Sequence, residues 1–273
     1  MESTQHPFDK ALELTGESGR YTGETSPLYA NMVGPFGGVI AAVLLRAVMN
    51  NSESRGEPVT LTVNFVAPVK DGSFGITAVC VRTNRSNQHW YLEMLQDGKV
   101  TANGTAIFAV RRETWGVTDI ERPEVPAVEG VSRLEGDFFP EWVKRYDIRP
   151  VKGGIPPLHV IEGEDAFEAS EGVNWVRDDK PRPLDHLSLA GLCDTFFPRV
   201  YVRRDHFTAA GTVSMTIYFH ADAATCAQVG DAHVLGHARA QKFYNTYSDQ
   251  SAEIWAPDGT LLATTHQVVY YKD

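Results

Sequence analysis

The sequence predicts an α+β chain made of two copies of one unit, each an antiparallel sheet wrapped around a single apolar helix. Three observations predict it. Val59-Thr-Leu-Thr-Val-Asn-Phe65 and Val213-Ser-Met-Thr-Ile-Tyr-Phe219 share one alternating pattern. Each is later followed by an Asp-Gly turn and a closing β-rich run. Each copy also passes through one helix-length apolar stretch before those strands. Pairing Phe65 with Phe219 sets an offset of 154, and pairing Asp97 with Asp258 sets 161, so the second copy is longer by 7 in its middle. Under those offsets Thr212 faces Pro58 and Gln267 faces Ala106. The later copy alone carries the polar set Asp194, Thr212 and Gln267, as expected of a fused dimer with a single working site.

In the first copy, Gly19 to Thr25 is expected as an edge strand. Gly37-Gly-Val-Ile-Ala-Ala-Val-Leu-Leu-Arg-Ala-Val-Met49 reads as a helix apolar nearly all round, hence a buried one. Alternating runs at Val59 to Ala67, Phe74 to Thr83, His89 to Gln96 and Thr101 to Val110 then predict an antiparallel meander turning at Asp71-Gly72 and Asp97-Gly98. Residues 113–161 are richer in Pro, Glu and Gly and carry little periodicity, so they read as a linker with one possible strand near Glu141 to Ile148. The expected units are therefore 1–112 and 162–273.

The second copy is expected to open with a strand at Phe167 to Arg177. A helix follows from Asp185 or His186 to Phe197, capped by Asp185 and stopped by Pro198. Strands at Thr212 to His220, His233 to Lys242, Tyr244 to Trp255 and Leu261 to Tyr271 complete it, with Pro257-Asp-Gly259 turning the last hairpin.

Composition bounds the function. The chain has 273 residues, and 42% of them are hydrophobic, enough for a sizeable core. A net charge of −10 without a Lys/Arg cluster disfavours nucleic acid and anionic membrane as partners. Cys80, Cys193 and Cys226 are odd in number and widely spaced, which fits reduced thiols in a cytoplasmic protein. The first twenty residues include Glu2, Asp9, Glu13 and Glu17 and lack an apolar core, so no secretory signal is expected. The longest apolar run, Phe36 to Leu45, is too short to span a bilayer.

Asp194 stands at the end of the second helical stretch, on a predicted face with Leu187, Ala190 and Gly191. It is either a helix-end carboxylate in solvent or a partly desolvated one that needs donors. The first copy's helix has no acid at all, which argues against a shared structural need. Thr212 opens a strand whose alternation puts Val213, Met215, Ile217 and Phe219 on one face and Thr212 on the other. Gln267 carries both a donor and an acceptor, and reads as a surface amide or as a site residue. A carboxylate, a hydroxyl and an amide can together hold a water that attacks a carbonyl, the carboxylate taking the proton. That chemistry needs no cofactor, no metal and no covalent intermediate. Gly37-Gly38 opens the first helix, where exposed N–H groups suit an oxyanion and where glycine equally suits tight packing against the sheet. There is no Gly-x-Ser-x-Gly elbow, P-loop or Gly-x-Gly-x-x-Gly fingerprint. His233 and His237 are four apart but without an evident third ligand, and Cys193 has no recognisable His partner.

With these residues in hand, the chain resembles the TesB-like (type II) acyl-CoA thioesterases of the double-hotdog superfamily. The resemblance rests on Phe-Gly-Gly-Val39, Val-Asn-Phe-Val-Ala-Pro68, Asn174-Trp-Val-Arg177, the Asp194 helix, the Thr212 strand ending Tyr-Phe-His220, and the closing Asp-Gly…Gln267 strand. It implies a double hotdog, two antiparallel sheets each around a central helix and joined side by side. It also implies an acyl-CoA substrate, a water oriented by Asp194, Thr212 and Gln267, and a homodimer or higher homo-oligomer. The thioester carbonyl is then expected beside the start of the first helix, making Gly38 the oxyanion candidate. Arg82, Arg85, Arg203 and Arg204 are the unranked candidates for CoA phosphate contacts.

Two competing readings remain at this level. A hotdog enoyl-CoA hydratase or dehydratase pairs an acid with a His, and Pro183-Leu-Asp-His186 offers such a pair without the Asp-x-Asn-Pro-x-His arrangement. A non-catalytic acyl-thioester-binding protein of the same fold is the other. A site that works by water activation requires the three polar groups to converge.

Overall fold

The computed structural model describes residues 5–155, 161, 167–204 and 206–272. The chain opens with a short helix α1 (Pro7–Ala11), then β1 (Thr15–Glu17) and β2 (Arg20–Glu24). Helix α2 spans Gly37–Met49, the residues the apolar run predicts, and nearly every side chain on it is buried. Strands β3 (Glu57–Phe65), β4 (Ser73–Thr83), β5 (Asn87–Gln96) and β6 (Lys99–Ala109) follow. Asp97 and Gly98 both take positive φ, 50° and 71°, which is what a two-residue hairpin turn of matching twist requires.

The second half comprises β7 (Tyr146–Lys152), β8 (Gly172–Asp178), α3 (His186–Leu192), α4 (Val200–Arg203), β9 (Ala210–Phe219), α5 (Ala223–Val229), β10 (Val234–Arg239), β11 (Phe243–Tyr244), β12 (Tyr247–Trp255) and β13 (Leu261–Tyr271). All strands belong to one antiparallel sheet, ordered β1-β2-β4-β5-β6-β3-β9-β13-β12-β10-β8-β7, with β11 on β12. The fold is a double hotdog of the α+β class. The two sheets join edge to edge through β3 and β9, so neither central edge is left unpaired.

That junction has an internal symmetry. Thr62 and Thr216, 154 residues apart, stand directly opposite each other with their hydroxyl oxygens 3.0 Å apart. Leu61 faces Ile217 and Val63 faces Met215 on either side of them. The offset read from the sequence thus places a pseudo-two-fold axis between these two threonines.

Several expectations need correction. The second helix stops at Leu192 and not at Phe197, because Thr195 turns its hydroxyl onto the Leu192 carbonyl at 2.8 Å and the chain leaves through a tight turn. The strand expected over Glu141 to Ile148 begins at Tyr146, after a 3-10 turn over Val143–Arg145. The strand expected from Phe167 begins at Gly172, Phe167 itself having a φ of 70°. β2 is not an edge, since β1 pairs outside it. Helices α1, α4 and α5 have no counterpart in the sequence reading. Part of the linker, residues 156–160, lies outside the described residues. Among the described residues, no helix is long and apolar enough to cross a membrane.

Candidate active site

Asp194 lies just past the C-terminus of α3, its N–H on the Gly191 carbonyl at 3.1 Å. It is not on the helix face with Leu187 and Ala190 that a longer helix would give. The turn aims its carboxylate at the start of α2. That helix begins after Phe36, whose side chain cannot cap the first-turn N–H groups. Asp194 takes up the role from the other half of the chain: the Gly38 backbone N–H acts on its carboxylate and pulls its pKa down. A negative charge here also meets the positive end of the helix dipole.

Glycine at both first positions is needed for this approach. A Cβ on Gly37 would stand 2.6 Å from Asp194 Oδ2, and one on Gly38 would stand 2.6 Å from the Gly191 carbonyl oxygen of α3. Gly37 therefore leaves room for the carboxylate, and Gly38 lets the two helices meet.

Thr212 is brought inward by a β-bulge. Plain alternation puts it on the face opposite Met215, Ile217 and Phe219, which are buried. The β9–β13 register pairs Ser214 with Val268 and Thr212 with Val269, leaving Val213 unopposed. That extra residue reverses the phase of the strand, as bulges do. The same device occurs in the first half, where Pro58 pairs with Phe108 and Thr60 with Ile107, leaving Val59 unopposed. Val59 and Val213 are related by the same offset of 154 that relates Thr62 to Thr216.

Gln267 sits on the inward phase of β13 with Thr265 and Val269, 4% exposed. Its Nε2 donates to Asp194 Oδ1 at 3.0 Å and to the sulfur of Met215 at 3.4 Å. The Thr212 hydroxyl donates to Gln267 Oε1 at 2.9 Å. The three polar residues singled out from the sequence thus form one hydrogen-bonded chain, Thr212 to Gln267 to Asp194. The polarity of that chain follows from its acidic end: an ionised carboxylate only accepts, so the amide nitrogen faces it and the amide oxygen faces Thr212. The lone pairs of the Thr212 hydroxyl are then left to accept.

Burial pushes the Asp194 carboxyl up to about 7, against the lowering pull of the Gln267 and Gly38 bonds. Desolvation outweighs the two donors that oppose it. A carboxyl titrating there exchanges protons at neutral pH, as a general base must.

Two cavities meet at this chain. One, of about 520 Å³, has walls of Phe36, Phe138, Phe139, Trp142, Phe196 and Phe197, with Asp194, Thr212 and Gln267 among its polar lining. The other, of about 300 Å³, lies on the first half, against Gly37, Ile40 and Phe65. Asn31, Asp194 and Thr212 line both. An apolar cavity with a few convergent polar groups is the ordinary form of a small-molecule site.

The sequence reading missed the aromatic wall. Phe36 and Trp142 stack with ring centroids 4.2 Å apart, and Trp142 lies 5.7 Å from Phe197. Phe138, Phe139 and Trp142 come from the segment read as linker, where three aromatics in five residues were the available signal. His186 and Asp185, the pair considered for hydratase chemistry, are committed elsewhere: His186 bonds the Ala221 carbonyl, while Asp185 caps α3 and pairs with Arg182. His233 pairs with Asp147, His237 lies between Glu171 and Glu253, and Cys193 is buried. Among the described residues no group of three His, Cys, Asp or Glu side chains could hold a metal ion.

Comparison with known proteins extends this picture. Family models described as the acyl-CoA thioesterase N-terminal and C-terminal domains match residues 26–109 and 121–271. A hot dog fold protein of unknown function from Alicyclobacillus acidocaldarius is 45% identical with a TM-score of 0.93, the match covering 99% of each chain. The tesB protein of Mycobacterium avium subsp. paratuberculosis is 18% identical with a TM-score of 0.77 over 99% of this chain and 100% of that one. An acyl-CoA thioesterase II from Mycobacterium marinum is 16% identical with a TM-score of 0.74, over 97% and 98%. No match was found among curated proteins. The two domain models in tandem, on a sheet of two joined halves, show that this chain belongs to the acyl-CoA thioesterase family.

Proposed function

We propose that the chain hydrolyses acyl-CoA thioesters to free acid and CoA, using a water activated by Asp194, Thr212 and Gln267. The observation that carries this reading is the hydrogen-bonded chain of these residues where the two cavities meet. The water donates one O–H to Asp194 and the other to the free lone pairs of Thr212, which leaves its own lone pair to face the thioester carbon. As its oxygen bonds to the thioester carbon, its proton passes to Asp194 and the carbonyl becomes an oxyanion. The C–S bond then breaks, and the departing CoA thiolate takes a proton back from Asp194. Gln267 fixes the carboxylate and the hydroxyl in one geometry.

Gly38, the oxyanion candidate, donates to Asp194 in the resting site. Protonation of Asp194 weakens the carboxylate's hold on that N–H at the step where the oxyanion forms. The charge moves from one neighbour of the helix start to another, and the Gly38 N–H follows it.

The 520 Å³ aromatic cavity suits the acyl chain, and the smaller one on the far side of Asp194 suits the thiol arm. Residues 1–112 and 162–273 act as the two units, with 113–161 as a connection that lends β7 and the aromatic wall. Three free cysteines fit a cytoplasmic setting. A homodimer or higher homo-oligomer is the expected assembly, to be read by light scattering.

The test is thiol release from a panel of short, medium and long acyl-CoAs by the wild type and by Asp194→Asn. The expected result is turnover by the wild type and a loss of roughly 10²–10⁴-fold in kcat for the variant. A wild type inactive on the whole panel overturns the reading, and so does an Asp194→Asn protein that is equally active. Tight acyl-CoA binding without turnover would instead favour a binding protein.

A further inference from the structure

We propose that Met215 is a positioning residue whose sulfur holds the Gln267 amide in its hydrolytic orientation while Asp194 carries a proton and cannot hold it. This rests on the hydrolytic reading above and adds a residue to the same site. Met215 stands on β9 directly opposite Gln267 of β13 and is fully buried. Gln267 Nε2 has two hydrogens, and both are placed: one on Asp194 Oδ1 at 3.0 Å, the other on the Met215 sulfur at 3.4 Å. The Thr212 hydroxyl donates to the amide oxygen at 2.9 Å.

The first half shows what this position holds when there is no amide to orient. The offsets of 154 and 161 relate Met215 to Leu61 and Gln267 to Ala106, and Leu61 stands opposite Ala106 as Met215 stands opposite Gln267. Leu61 is buried as fully as Met215. The scaffold therefore packs leucine here, and a sulfur replaces it in the half where an amide N–H needs an acceptor.

The amide has a second orientation, and protonation of Asp194 opens it. An ionised Asp194 only accepts, so it keeps Nε2 toward itself. A neutral Asp194 can donate its O–H to the oxygen of a rotated amide, whose Nε2 then points at Thr212. That state is idle: Asp194 holds its proton, and a Thr212 lone pair needed for the water accepts from Nε2 instead. Met215 opposes it, because rotation sets the amide oxygen against the sulfur, two acceptors with no hydrogen between them. Both protonation states matter near neutrality, since burial pushes the Asp194 carboxyl up to about 7. Its titratable neighbours are Cys193 and Tyr146, and burial pushes both up, so neither is charged there. From α2 and β13 it meets the Gly38 N–H and the Gln267 amide.

The experiment measures kcat and KM for acyl-CoA hydrolysis from about pH 5 to pH 9 in the wild type and in Met215→Leu, which installs the residue the first half already packs. Without the sulfur the idle state gains population only where Asp194 is protonated, so the midpoint of the kcat profile should move up by roughly 0.5–1 pH unit. The loss in kcat is then about three- to tenfold below pH 6 and shrinks toward pH 9, with KM unchanged. A loss equal at every pH, or no loss, overturns the inference. Carbon-13 NMR titration of the Asp194 carboxyl, assigned by its absence in Asp194→Asn, follows the same midpoint without turnover. In a Gln267→Leu background Met215→Leu should leave that midpoint in place, because no amide remains to rotate; a shift that persists there also overturns the inference. Met215→Ile serves equally should the leucine variant fail to fold. If no acyl-CoA is hydrolysed the hydrolytic reading fails, and the NMR midpoint still decides for Met215, which a raised value supports and an unmoved one refutes.

Discussion

Replacing Asp194 by asparagine should stabilise the protein at alkaline pH while removing its activity. The carboxyl is raised from its ordinary 3.8 to about 7 by burial. The stabilising form is the neutral acid: its contribution is complete below pH 3.8 and is lost as pH rises through about 7. At about 1.4 kcal/mol per pH unit, holding the ionised group there costs about 4 kcal/mol above pH 7. Asparagine removes that cost but offers one acceptor oxygen where the carboxylate offers two, to the Gln267 amide and the Gly38 N–H. An unpaired buried donor costs about 1–3 kcal/mol, so the net gain is about 1–3 kcal/mol at pH 8. Chemical denaturation at pH 8 and pH 5 measures it. The difference between variant and wild type should shrink by roughly 2–3 kcal/mol on going to pH 5, where the wild-type carboxyl is already mostly protonated. A variant less stable than wild type at pH 8, or a difference that does not move with pH, would show that Asp194 is not the strained, desolvated acid described here.

Three further perturbations test the site from other sides. The logarithm of kcat/KM should rise with unit slope toward pH 7 and level off above it, because the ionised carboxylate is the active form; a flat profile from pH 5 to 8 counts against Asp194 as the base. Gly37→Ala sets a methyl 2.6 Å from Asp194 Oδ2, so kcat should fall by roughly 10–100-fold with little change in thermal midpoint, and an unaltered kcat would show that the carboxylate need not stand there. Trp142→Ala removes the partner stacked on Phe36 at 4.2 Å and should destabilise the protein by about 3–5 kcal/mol and raise KM for long acyl chains; a KM unchanged across chain lengths would place the chain elsewhere.

Much of the frame was legible because the determinants are local. The helix over Gly37–Met49 and the closing strand Leu261–Tyr271 match their apolar periodicity residue for residue, and β3 to β6 fall within two residues of the alternating runs. The Asp97-Gly98 turn names its own backbone conformation, whereas Asp71-Gly72, read as a meander turn, joins β3 to β4, which do not pair. What escaped depends on tertiary context. Helices α1 and α5, with 5 and 7 residues, are too short to show a periodicity. Asp194 was read on a helix that in fact ends two residues earlier, because a single side-chain bond from Thr195 decides the exit. Phe138, Phe139 and Trp142 gained meaning only when the linker folded back over the cavity. The contrast between the two copies singled out Asp194, Thr212 and Gln267, yet strand alternation pointed Thr212 the wrong way. Val213 is an ordinary strand residue, and nothing in its neighbourhood announces a bulge.

The duplicated bulge explains how one site arises from two similar halves. Because Val59 and Val213 are bulged alike, the backbone turns the same positions inward on both sides of the Thr62–Thr216 axis. The first half fills them with Pro58, Ala106 and Trp90, while the second presents Thr212, Gln267 and Gln250. The halves therefore differ in side chains on one shared scaffold, and substitution could separate their roles without rebuilding the fold. The helices carry the remaining difference. α2 runs for 13 residues with no local side chain capping its start, whereas α3 stops after 7 and releases the chain that bears Asp194, Phe196 and Phe197. Each half thus supplies what the other lacks: the first a helix start that accepts a buried negative charge, the second the charge itself and the cavity beside it.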